Sequence, residues 1–168
     1  MKRNLWVLMK KDIFLCPGWL MLGVVLTVVM PIYIIRSIEL PSILYEPIRI
    51  LCGICAGNIV VARICYIEDN QAVKTLLVSL PVRKKELVLS RYIVAVAIVI
   101  ILIIAAELMG LLIGVTINTG VLCVGIVSGI LYETMYLMLY YKWGNNVAQY
   151  AFVGIIAIAI FVLMNIKL

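Results

Sequence analysis

The sequence predicts an all-α integral membrane protein, and three observations carry that prediction. Of 168 residues, 66% are hydrophobic and 13% charged, whereas soluble domains run at roughly 45–50% apolar and about 25% charged. The apolar residues fall into five long runs, each near the roughly 20 helical residues that cross about 30 Å of hydrocarbon. The runs are continuous, unlike the alternating segments of a membrane β-barrel.

The expected architecture is a single transmembrane domain over residues 1–168. It has an N-terminal interfacial helix, about five transmembrane helices, and a cytoplasmic helical segment between spans two and three. The spans are placed at about 19–38, 47–67, 92–113, 120–141 and 147–166, with a cytoplasmic segment at 68–91.

The chain opens with "MKRNLWVLMKKDIFLCPG". Its first apolar stretch is too short for a signal-peptide core, so the chain is expected to keep its start. Leu5, Trp6, Leu8, Met9 and Ile13 group on one side of a helix, with Lys10, Lys11 and Asp12 off that side. The pattern predicts an amphipathic helix lying in the membrane interface. Pro17-Gly18 ends it before the first span.

Charge sets the orientation. With the N-terminus in the cytoplasm, only Arg36, Arg49 and Lys167 of the fourteen Lys and Arg fall outside. Positive residues collect on the cytoplasmic side of membrane proteins, so this bias predicts an N-in chain. Five spans then put the C-terminus outside. Tyr136, Tyr140, Tyr141 and Trp143 form a cluster of the interfacial kind.

The largest piece between spans is "EDNQAVKTLLVSLPVRKKELVLSRY", Glu68 to Tyr92. Val73, Leu76, Leu77 and Leu80 stand at i, i+3, i+4 and i+7, one apolar stripe on a short helix. Glu68 and Asp69 sit at its start, where the helix dipole favours negative charge. Pro81 stops it, and a second helix runs from there through Glu86 into span three. The stripe can rest on headgroups or on its own bundle, or it can enter a groove on a cytoplasmic partner. The residues alone leave both open.

Inside the membrane, three small-xxx-small pairs mark close helix packing: Gly53 with Gly57, Gly110 with Gly114, and Gly125 with Gly129. They fit a tightly packed bundle or a contact between two copies of the chain. Glu107 and Glu133 interrupt apolar runs. An acidic residue at mid-membrane costs about 2.5–3.5 kcal/mol on insertion scales, so such groups face the bundle interior or water. At about 1.5 Å per residue, Glu107 lies roughly 24 Å beyond Arg91 and Glu133 roughly 14 Å before Lys142. Their different depths argue against a catalytic pair. Each is expected to pair with Asn58, a tyrosine or backbone, or to line a substrate path.

Several chemistries are set aside. No histidine is present, which removes the commonest general base and metal ligand. "CGIC" at Cys52–Cys55 has a redox or metal spacing but no second pair, and the five cysteines are read as small apolar packing residues. No metal site is expected. No "GxxxxGK[ST]" phosphate loop and no nucleophile-elbow serine occurs, so no catalytic residue is assigned. No basic arm with interleaved aromatics points to nucleic acid.

Three stretches then carry a resemblance: "LMKKDIFL", "YIEDNQAVKTLLVSLPVRKKELVLSRY" and "YYKWGNN". In this order and spacing they resemble the bacterial ATP-binding-cassette type-2 transporter permeases, over the chain to about residue 150. The resemblance implies the membrane subunit of an exporter in the bacterial cell membrane. It implies a separate cytoplasmic ATPase that binds ATP and Mg, a second permease subunit (identical or different), and hydrophobic or amphipathic cargo such as a peptide or drug. By position, Glu68 to Leu80 would be the coupling helix that docks on the ATPase, and the N-terminal stretch the interfacial elbow helix. The family usually has six spans where five are readable here, and Val82 stands where a hydroxyl residue often precedes the basic cluster. The span count keeps a rival reading, a non-transporting membrane immunity or regulatory protein that binds partners. An intramembrane enzyme built on Glu107 and Glu133 is a third.

Overall fold

Helix α1 (Lys2–Leu15) is followed by α2 (Pro17–Ile38), α3 (Tyr45–Glu68), α4 (Lys84–Leu112), α5 (Thr119–Trp143) and α6 (Asn145–Asn165). This is a computed structural model that describes residues 2–15, 17–38, 45–70, 84–112 and 118–165. Among them, Pro17–Ser37, Tyr45–Glu68, Lys85–Leu112 and Thr119–Trp143 are long and apolar enough to cross a membrane. The protein is therefore a multi-pass membrane protein. About five spans were expected; four helices meet the criterion, and α6 is a further long helix of 21 residues.

Local sequence explains where the helices begin and end. Pro17 opens α2, a position where its missing N–H is not needed. The Asn118 side chain caps α5 by accepting from the Gly120 N–H at 3.0 Å. Between α5 and α6 the chain passes through Gly144 at φ 88°, with its N–H donating to the Tyr140 carbonyl at 2.9 Å. Only glycine takes that backbone conformation at low cost. The Tyr136 hydroxyl and the Asn145 side-chain oxygen, 3.2 Å apart, tie α6 back onto α5.

α3 and α4 are the centre of the bundle. α1 and α2 cover one side of this pair, where Met9, Trp19, Leu20 and Leu26 pack on Val60, Ile64, Val94 and Leu102. α5 and α6 cover the other, through Tyr136, Leu137, Ala148 and Phe152. Towards the start of α5, Val121, Leu122 and Ile126 close on Ile50, Ile54, Val99 and Ile103. Most of α2 faces outward, including Met21, Val24, Val25 and Val29, as suits lipid contact.

The α3–α4 contact has a regular antiparallel register. Arg49 meets Glu107, Gly53 meets Ile103 and Gly57 meets Val99. Val61 and Ala95 share one buried cluster, and Cys65 meets Arg91. Each rung advances one i+4 step on α3 while retreating one on α4, so a single ridge of each helix forms the seam. Lipid tails are as apolar as leucine, so close van der Waals packing is what holds such helices together. Glycine permits it: a Cβ on Gly53 would stand 3.2 Å from the Ile103 Cα, and one on Gly57 only 2.7 Å from the Val99 Cγ2.

α1 turns differently from its expected amphipathic face. Leu8 and Asp12 are buried, whereas Trp6, Ile13 and Phe14 are exposed. The helix rolls to satisfy Asp12, because an unpaired buried carboxylate costs more than several exposed apolar side chains at a membrane interface.

Candidate functional site

The cytoplasmic segment of the sequence reading joins the end of α3 to the start of α4. Val73, Leu76, Leu77 and Leu80 lie outside the described residues. Its two flanks are described, and they are held together by charge.

Four ionised side chains from three helices meet there: Lys11 and Asp12 of α1, Glu68 of α3 and Arg91 of α4. Lys11 Nζ lies 2.7 Å from Glu68 Oε1 and 3.3 Å from Asp12 Oδ1. Arg91 Nε lies 3.4 Å from Asp12 Oδ2, and Arg91 Nη2 pairs with Glu68 Oε1. Arg91 Nη1 also reaches the Cys65 sulfur at 3.6 Å, one turn before Glu68. Asp12 and Arg91 are each 1% exposed. Two cations and two carboxylates cancel, which is how a buried cluster of full charges is tolerated.

Glu68, expected at the start of the coupling helix, is the last residue of α3 instead, and its carboxylate is buried. It serves as an anchor between α1 and α4. Asp69 follows in the closing turn, its N–H donating to the Cys65 carbonyl at 3.1 Å. On the other flank, α4 starts at Lys84 with Glu86 in its first turn. The Tyr140 hydroxyl donates to the Cys65 carbonyl at 3.4 Å, so α5 also touches this level.

The opposite end of the seam carries a second ion pair. Arg49, counted by sequence with the outer flank, is buried within the bundle, its Nη2 donating to Glu107 Oε2 at 3.0 Å. Glu107 therefore pairs with an arginine, not with Asn58, a tyrosine or backbone. The partner was missed because an arginine near a run's edge reads as a topology marker. Gly110 has a related use: a Cβ there would stand 2.8 Å from both Cζ and Nε of Arg49. This glycine makes room for the guanidinium; Gly114 lies outside the described residues.

Glu133 is placed deepest, at 0% exposure on α5. Asn58 of α3 is its neighbouring polar side chain, though not at hydrogen-bonding geometry, and neither Glu133 oxygen has a hydrogen bond among the described residues. Gly125 and Gly129 let α5 approach: Cβ atoms there would stand 2.6 Å from Ile50 Cγ2 and 3.0 Å from Val99 Cγ1. The described glycine pairs thus pack within one chain. Cys52, Cys55, Cys65 and Cys123 are free thiols.

Sequence reasoning missed three members of the charged cluster, Lys11, Asp12 and Arg91. A signal did exist: Asp12 is the sole acid before the first span, and an acid among interfacial cations implies a specific partner.

A family model described as ABC-2 family transporter protein matches residues 7–168, nearly the whole chain. No curated protein and no solved structure matches it. A chain of long apolar helices, a charged elbow locked to spans two and three, and a family match over almost its full length meet in one conclusion: this protein belongs to the ABC-2 transporter family, as a membrane component.

Proposed function

We propose that the chain is the permease subunit of an ATP-binding-cassette exporter, which moves a hydrophobic or amphipathic substrate and is powered by a separate ATPase. The observation that carries this is the buried cluster of Lys11, Asp12, Glu68 and Arg91. It joins both flanks of the proposed coupling segment to each other and to α1.

The work of the cluster follows from its rigidity. The ATPase would grip Val73, Leu76, Leu77 and Leu80, with Asp69 at the segment's start. Burying one Leu or Val is worth about 1.5–3 kcal/mol, so four suffice to anchor one short helix. A push on that helix reaches Glu68 and Arg91 together. The glycine seam keeps α3 and α4 in fixed register, so both helices move as one body, with α1 riding on them. ATP and Mg would be held by the ATPase, and this chain supplies the path and the lever.

The N-terminus is cytoplasmic in this reading, and α6 is a fifth crossing. A second permease subunit, identical or different, would complete the path in a bacterial cell membrane.

The test is gentle purification of the tagged chain from its native membranes, with Leu76→Glu/Leu77→Glu beside it. Wild type brings down a stoichiometric ATP-binding-cassette ATPase, and the variant inserts normally but loses it. Equal co-purification by the variant removes the docking role of the stripe. No ATPase with the wild type under several mild conditions favours the rival, a non-transporting immunity or regulatory protein.

A further inference from the structure

At the end of the bundle opposite the charged cluster, a cavity of about 310 Å³ lies between α2, α3 and α4. Its walls are apolar, with Val28, Ile32 and Ile35 of α2 facing Met109 of α4. Two arginines line it as well, Arg36 from the last turn of α2 and Arg49 from the first turns of α3.

Arg49 is only partly used by its ion pair. Nη2 donates to Glu107, but Nε has no hydrogen-bond partner among the described residues, and the residue is 4% exposed. A buried guanidinium N–H without an acceptor is costly, and an incoming anion relieves that cost. Gly110, which also lines the cavity, lies directly against the guanidinium, where a Cβ would stand 2.8 Å from Nε. The nearest acid in sequence, Glu46, is spent on the Asn118 N–H at 2.8 Å.

We propose that this cavity binds the phosphate headgroup of an anionic phospholipid, with Arg36 and Arg49 as its cations and its apolar walls receiving the first methylenes. Size and access both favour a lipid. At about 30 Å³ per water, the space equals roughly ten waters, which fits a phosphoglycerol head but not two acyl chains. The chains have a surface to follow: Val25, Val29 and Tyr33, at i, i+4 and i+8, are exposed along α2 beside the cavity's own α2 residues. The site is independent of ATPase docking, so failure of either reading leaves the other standing.

The test uses the purified, delipidated full chain with added dioleoyl phosphatidylglycerol or dioleoyl phosphatidylcholine, and counts retained lipid by native mass spectrometry. One phosphatidylglycerol per chain is expected, held about twenty-five-fold more tightly than phosphatidylcholine, since two basic groups at a membrane surface each contribute about fivefold. Arg36→Gln lowers that preference about fivefold. Ile32→Trp, which fills the cavity, abolishes retention of both lipids. Arg49 is left intact, because removing it strands Glu107. Equal retention of the two lipids overturns the proposal, as does unchanged phosphatidylglycerol binding in both variants. Displacement by free glycerol 3-phosphate at equal concentration also overturns it, by assigning the site to a soluble anion.

Discussion

Arg49 of α3 and Glu107 of α4, 58 positions apart in sequence, form a buried ion pair at 3.0 Å. Each is the other's means of tolerating the membrane interior, so losing one should cost far more than losing both. Arg49→Leu alone is expected to destabilise the fold by about 3–5 kcal/mol, because it leaves a buried carboxylate uncompensated. Arg49→Leu with Glu107→Leu should recover most of that. Thermal aggregation of the detergent-solubilised protein, followed by size-exclusion chromatography, reads both. A double variant as weak as the single one would show that the two side chains are not coupled.

The glycine seam makes a sharper steric prediction. At Gly57 a new Cβ meets Val99 Cγ2 at 2.7 Å and the Val99 Cα at 3.4 Å. Valine is stiff at χ1 and α4's backbone cannot give way cheaply. Gly57→Ala should lower the yield of monodisperse protein by destabilisation of about 1–3 kcal/mol, the usual cost of overpacking. Val99→Ala in the same chain should restore it. Gly154→Ala, where a Cβ meets nothing within 4 Å, serves as the control and should be neutral.

Cys65 reports on the charged cluster. It is 0% exposed and lies against Arg91, whose guanidinium is held by Asp12 and Glu68. Asp12→Ala removes one of those two carboxylates and frees α1 from α4. In a chain keeping Cys65 as its sole cysteine, labelling by a membrane-permeant maleimide should rise at least several-fold on Asp12→Ala. Unchanged labelling would mean that α1 stays docked through Leu8 and Met9 without the ion pairs.

Topology separates four crossings from five. A reporter fused after Leu168 should read as external and one at the N-terminus as cytoplasmic, if α6 crosses. Two cytoplasmic readouts would place α6 along the membrane surface and leave four spans.

Much of the architecture was legible along the chain. Helix existence, the separate N-terminal helix, and the breaks at Pro17 and before Gly120 follow from hydropathy run length and from local turn chemistry. Both are properties of neighbours in sequence: a bilayer's thickness sets the length of a run, and a proline acts on its own turn. The glycines at 53, 57, 125 and 129 were likewise legible as packing residues, though not what they pack against.

The partner of each charge was not legible. Arg49 looked like an outer flank, Asp12 like the polar side of an amphipathic helix, and Glu68 like the start of a coupling helix. Tertiary structure assigned Arg49 to Glu107, Arg91 to Asp12 and Glu68, and Gly110 to the Arg49 guanidinium. Such pairings depend on the antiparallel register of α3 against α4, and a shift of one turn would move every rung by about 5.4 Å. Hydropathy says which segments enter the membrane, because each segment meets the lipid by itself. Register is decided by shape and charge across two helices at once, and only the folded bundle contains it.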